Sequence, residues 1–106
     1  MDRQDFQLRA DACLERVEQW LEDFDPDELD FTSADGVVKL EFAGGPTFVL
    51  TRQTAAHQMW FAAGASAWHY EWSEEAQAWR CDKDGHDLLA RIGEVTSERL
   101  GRIVSL

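Results

Sequence analysis

From Leu29 to Cys81 the chain reads as short segments in which apolar and polar residues alternate, joined by tight turns and interrupted by no helical period. Val38, Leu40 and Phe42 alternate with Lys39 and Glu41 behind a turn at Asp35-Gly36. Gly44-Gly45-Pro46 then turns the chain into a strand from Thr47 to Thr51. Further strands are predicted from His57 to Ala63, Ala67 to Trp72 and Ala78 to Cys81, separated by Gly64-Ala65-Ser66 and by Ser73 to Gln77, with Leu29 to Ser33 adding one at the start. A parallel crossover needs a dozen or more residues, so strands joined this closely form an antiparallel meander.

The period changes on both sides of this block. Phe6, Ala10, Cys13, Leu14, Val17, Trp20, Leu21 and Phe24 recur at three- and four-residue spacing, which predicts an amphipathic helix from about Gln4 to Phe24, broken by Asp25-Pro26-Asp27. Beyond Asp84-Gly85, Leu88, Leu89, Ile92 and Val95 share one face of a second helix, with Leu100 at its edge and Gly101 as its stop. Gly93 weakens that helix by up to about 1 kcal/mol relative to Ala. The tail from Arg102 to Leu106 is apolar enough to dock back. The expected fold is α+β: one domain over 1–106, a two-layer sandwich with two helices on one face of a five- or six-stranded antiparallel sheet. The other face is left for solvent or a partner.

Charge is concentrated in the first helix and the loop after it. Residues 1–30 hold eleven acids and three bases, a surplus of eight within a chain whose net charge is −11. On a helical wheel Asp11, Glu15, Glu18 and Glu22 fall in a stripe roughly 60° wide, while Arg9 and Arg16 lie on the opposite flank. The loop adds Asp23, Asp25, Asp27, Glu28 and Asp30. Each like-charge neighbour three or four residues away costs a few tenths of a kcal/mol, so the pattern suggests a surface that meets cations. The competing reading is a solvated face that serves solubility. Nucleic acid is excluded as a partner because no basic footprint exists; a metal cation or a basic protein surface is the natural complement.

The acidic stretch lacks the spacing of the known built cation sites. An EF-hand begun at Asp23 would put Glu28 where the turn needs Gly and Ala34 where a bidentate Glu is required. No Glu-x-x-His pair of the di-iron bundle type is present. Cys13 and Cys81 form neither a CxxC pair nor a cysteine-rich zinc site and read as small core residues. His57, His69 and His86 are isolated, whether as structural residues or as ligands for metal or haem, and no nucleophile has a supporting motif. Exposed carboxylates alone make shallow, hydrated sites for hard cations, several weak ones rather than one tight one. In the strand after His57, Met59 and Phe61 point to the helices, which sends Gln58 and Trp60 to the open face; a Trp there is either a partner anchor or core filling from another layer. No apolar run spans a membrane, and the acidic N-terminus is unlike a signal or transit peptide, so a cytoplasmic setting is expected.

Thr51-Arg52-Gln53 followed by His57-Gln58-Met59-Trp60-Phe61-Ala62 resembles the central signature of the frataxin family in its bacterial CyaY-type form. The resemblance runs from Phe6 and Ala10-Asp11 through Trp68-His69-Tyr70-Glu71, Trp79-Arg80-Cys81-Asp82 and Gly85 to Leu88-Leu89, which is essentially the whole chain. It implies the same order of elements and an iron-binding accessory protein of iron-sulfur cluster assembly that contacts the cysteine desulfurase and the scaffold protein. Ferrous or ferric iron, held weakly at several sites on an acidic ridge, is the implied cargo, and other divalent cations could share those sites. The ridge corresponds to Asp11, Glu18, Glu22, Asp23, Asp25, Asp27 and Asp30, joined by Glu15 from the helical wheel. Glu18, Glu22, Asp23, Gln58 and Trp60 are the expected partner-binding residues. Ala55 stands where the family often has proline, and Gln19 where a further acid is common. The expected protein is a non-catalytic monomer, with iron-dependent oligomers left open. The alternative is an acidic interaction module whose metal binding is incidental.

Overall fold

The computed structural model describes all 106 residues. Asp2 starts helix α1 (Arg3–Leu21) by accepting a hydrogen bond from the Asp5 backbone N–H at 2.8 Å, which satisfies one of the unpaired donors of the first turn. The helix stops at Leu21, short of the expected Phe24. Asp23 and Phe24 tighten the last turn by donating to the carbonyls of Trp20 and Leu21, and Asp25 then reverses the chain. The Asp25 carbonyl accepts from Glu28 at 2.9 Å and Leu29 at 3.0 Å, and its side chain accepts from the Asp27 N–H at 2.9 Å. Phe24 keeps its apolar role outside the helix by packing edge-on against Trp20, with ring centroids 4.9 Å apart.

Six strands follow in a single antiparallel meander of spatial order β1 to β6: β1 (Leu29–Ala34), β2 (Val37–Phe42), β3 (Thr47–Gln53), β4 (Gln58–Ala63), β5 (Ser66–Ser73) and β6 (Ala78–Cys81). β3 runs on to Gln53, because Arg52 and Gln53 pair in register with Met59 and Gln58. β4 begins one residue later than expected. Thr54–Ala56 form a 3-10 turn, and His57, which ends it, takes φ 51°, a left-handed conformation outside any strand ladder. The His57 ring instead lies flat on Phe6, with centroids 5.0 Å apart.

Helix α2 (Leu88–Leu100) is capped by Asp87, whose carboxylate accepts from the Ala90 N–H at 2.9 Å, and ended by Gly101 at φ 74°. Both helices cover the same sheet face. Phe6, Ala10, Leu14, Val17 and Leu21 of α1 and Leu88 and Ile92 of α2 close over Val38, Leu40, Leu50, Met59, Phe61 and Tyr70. Strand alternation thus holds as expected, with Met59 and Phe61 fully buried and Trp60 turned outward. Cys13 and Cys81 are both buried. Tyr70, the largest fully buried side chain, pairs its hydroxyl with His86 Nε2 at 2.7 Å, and burial, followed by the nearby Cys81, pushes its pKa well above the usual phenol range.

The tail docks, and it explains Gly93. A methyl group there would meet the Val104 carbonyl oxygen at 3.3 Å and Ser105 Cα at 3.4 Å, so the glycine leaves room for the returning backbone. Ser97 Oγ accepts from the Val104 N–H at 2.9 Å, Trp20 Nε1 donates to the Ser105 carbonyl at 2.9 Å, and Leu106 packs against the core. Ile103 is the large apolar side chain of this segment that points to solvent, 94% exposed. A chain ending at Ile103 is expected to lose roughly 2–3 kcal/mol and about 10 °C in Tm, from the lost hydrogen bonds to Ser97 and Trp20 and the lost Leu106 contact. Calorimetry of that truncation measures the loss; an unchanged Tm would show that the tail is not held in solution.

Candidate functional site

The acidic helix flank is fixed by burial of the opposite flank. With Phe6, Ala10, Cys13, Leu14, Val17 and Leu21 facing the sheet, Asp11, Glu15 and Glu22 stand exposed and Glu18 sits half-buried at the boundary with β1. The loop then carries Asp23, Asp25 and Asp27, all exposed. Glu18 is the residue of this set that meets the first edge strand, through Ser33. Asp30 leaves the set. Leu29 is buried and Phe31 half-buried under the helices, so Asp30 between them points to the open face, in register with Glu41 of β2.

The ridge carboxylates differ in what already holds them. Asp11 is committed twice, in an ion pair with Arg52 of β3 and in a hydrogen bond from Gln7 Nε2 at 3.2 Å. Glu18 accepts a hydrogen bond from the Ser33 hydroxyl of β1. Glu28 pairs with Arg102 at 2.5 Å, and Asp25 shapes the turn. Glu15, Glu22, Asp23 and Asp27 accept nothing from the protein through their carboxylates. No three ridge carboxylates bring their oxygens within 4.8 Å of one another; the one group of three ligands that does so lies elsewhere in the fold. Cys13 faces the core on the opposite side of the helix and supplies no thiolate, since burial, and secondarily the charge of Asp87, pushes its pKa up to about 12. The donors offered to solvent are therefore oxygens only. Such a surface suits hard, partly hydrated cations such as iron, bound by one or two carboxylates at a time.

The open face presents a second feature. Trp60 is 37% exposed, and its ring stacks on His69 of β5, its cross-strand partner, with centroids 4.2 Å apart and planes 12° from parallel. The indole Nε1 donates to Gln58 Oε1 at 2.8 Å, and Gln58 Nε2 donates to Glu71 Oε2 at 3.2 Å. The indole is thereby held in one orientation, which lowers the entropy cost of using it as an anchor. The sequence reading put Gln58 and Trp60 on this face but missed His69 and Glu71 as their supports. Counting register outward from Gly64 would have found both, because the β4–β5 hairpin pairs Trp60 with His69 and Gln58 with Glu71.

Comparison with known proteins follows the same outline. The model of the frataxin-like domain matches residues 1–102. The iron-sulfur cluster assembly protein CyaY of Dechloromonas aromatica is 32% identical over 107 residues, covering 100% of this chain and 99% of its own length. The protein of the same name from Stutzerimonas stutzeri is 35% identical over 92 residues, covering 87% of this chain and 83% of its own. A solved structure of a frataxin from Psychromonas ingrahamii, from work on stability within the CyaY protein family, superposes with a TM-score of 0.87 at 22% identity. That match covers 99% of this chain and 97% of the solved one and bears on the fold alone.

The two kinds of ridge carboxylate predict opposite effects of neutralisation. Glu15→Gln and Glu22→Gln remove repulsion and no partner, so each is expected to stabilise by a few tenths of a kcal/mol. Asp11→Asn weakens the pair with Arg52 and is expected to destabilise by up to about 1 kcal/mol. Urea unfolding distinguishes them by sign.

Proposed function

The chain belongs to the frataxin-like family in its bacterial CyaY-type form, and from that premise we propose that it serves iron-sulfur cluster assembly as a non-catalytic, iron-carrying regulator. The observation that carries this reading is the ridge itself: oxygen donors alone, exposed on a helix whose other side is locked into the core, with four carboxylates committed to no protein partner. Such donors exchange iron with water still attached, as a protein that delivers a cation rather than storing it requires. Glu22, Asp23 and Asp27 are the primary iron ligands, Glu15 a further one. Glu18 and Asp11 take part only by releasing Ser33 and Arg52.

The same surface docks on a basic region of the cysteine desulfurase, with association steered by its charge and weakened by salt. Trp60, backed by His69 and oriented by Gln58, anchors the scaffold protein on the open sheet face. Iron and the desulfurase compete for Glu22 and Asp23, so iron occupancy and docking are linked. Occupancy by one disfavours the other by the same factor in both directions.

The test combines NMR titration with ferrous and ferric iron and capture of purified desulfurase and scaffold. The variants are Glu22→Lys with Asp23→Lys, which breaks no intramolecular bond, and Trp60→Ala. The charge-reversed protein is expected to lose iron-induced shifts over α1 and the following loop and to lose the desulfurase. Trp60→Ala is expected to keep iron and to weaken scaffold binding by roughly thirtyfold or more, the effect of removing an interface hot spot. Iron shifts centred away from residues 11–30 would overturn the ridge as the iron site. Loss of iron with full desulfurase binding would leave docking elsewhere as the function.

A further inference from the structure

The loop between β6 and α2 gathers a different set of donors at the other side of the fold. Cys81 ends β6 with its side chain on the helix side of the sheet, and the chain then folds back over it. The Gly85 N–H donates to the Cys81 carbonyl at 3.0 Å and the Cys81 N–H to the His86 carbonyl at 2.9 Å, a reversal that Gly85 permits at φ 75°. The thiol of Cys81, a carboxylate oxygen of Asp84 and a ring nitrogen of His86 thereby lie within 4.8 Å of one another. We infer that Cys81, Asp84 and His86 form a metal site separate from the acidic ridge, built for a borderline divalent cation of the zinc class.

Three features support this. The donors are one sulfur, one nitrogen and one oxygen, a set that favours zinc or cobalt over the hard cations suited to the ridge. A thiolate and a carboxylate balance a dication, so the occupied, partly buried site carries no net charge. The imidazole is also oriented for the task. Its Nδ1 lies 2.5 Å from Asp84 Oδ1, among the other donors, while Nε2 lies 2.7 Å from the buried Tyr70 hydroxyl. When an ion takes Nδ1, the single proton of the neutral imidazole sits on Nε2 and is donated to the Tyr70 oxygen, the outer hydrogen bond that ligating histidines need.

Zinc bonds of about 2.0–2.3 Å place ligand atoms roughly 3.5 Å apart, so closure needs side-chain shifts of about an ångström. Binding releases the thiol proton and holds the imidazole as its Nε2–H tautomer, and the fourth position falls on the exposed Asp84 side, where water completes the set. A surface cavity of about 200 Å³ lined by Ala67, Trp68, His69, Asp82 and Lys83 also borders Cys81.

The test is a titration of the full chain with cobalt(II), followed by competition with zinc(II). The wild type is expected to develop a near-ultraviolet thiolate-to-cobalt charge-transfer band that zinc abolishes. Cys81→Ser should remove the band, while His86→Gln and Tyr70→Phe should weaken cobalt binding at least tenfold, Tyr70 acting only through the imidazole. The Glu22→Lys, Asp23→Lys protein should keep the band, which separates this site from iron on the ridge. Absence of the band in the wild type, or its survival in Cys81→Ser, would overturn the assignment. Should Cys81→Ser fail to fold by near-ultraviolet circular dichroism, unchanged cobalt affinity in His86→Gln overturns it instead.

Discussion

Everything displayed on this protein depends on the contact between the apolar stripe of α1 and the inner face of the sheet. Phe6, Leu14, Val17 and Leu21 are each worth roughly 1.5–3 kcal/mol on burial, while the like-charge neighbours on the opposite flank cost together about 1 kcal/mol. Packing wins by a wide margin. The carboxylates are therefore held at the surface whether or not a cation is there to offset them.

The fold also limits how much of that charge is left free. Arg52 reaches Asp11 from β3, Arg102 reaches Glu28 from the docked tail, and Ser33 reaches Glu18 from β1. All three are tertiary contacts from elements that pack around α1. They leave Glu15, Glu22, Asp23 and Asp27 as the part of the ridge that a cation or a basic partner meets without displacing anything. A charge count treats the acids as equivalent, whereas the structure grades them.

Aromatic residues divide along the two faces in the same way. Phe61 and Tyr70 are spent on the core, and Trp68 and Trp72 are half-buried beneath arginines, with the Arg91 guanidinium 4.7 Å and that of Arg9 4.4 Å from the respective ring centroids. Trp60 alone among the tryptophans is turned out of the core, and its neighbours His69 and Gln58 fix it rather than cover it. Arg9, which the helical wheel set opposite the acids, is thus employed in packing and in a pair with Glu74 at 3.8 Å.

The sequence by itself determined the two-layer α+β architecture, the antiparallel meander and the faces on which Trp60 and the acidic stripe would appear. Periods of 3.6 and 2 are local properties, and turns too short for a crossover admit one topology. Helix and strand ends were legible to within a few residues, missing where the Asp25 turn and the left-handed His57 replaced a regular period. Asp30 was grouped with the ridge by its position in the chain, although alternation between Leu29 and Phe31 already assigned it to the other face. Only the tertiary structure decided which carboxylates are committed, because Arg52, Arg102 and Ser33 are brought to them from distant elements. Only it joined Tyr70 to His86 and folded His86 and Asp84 back over Cys81, since those contacts depend on strand register and a glycine-permitted reversal rather than on any repeating pattern.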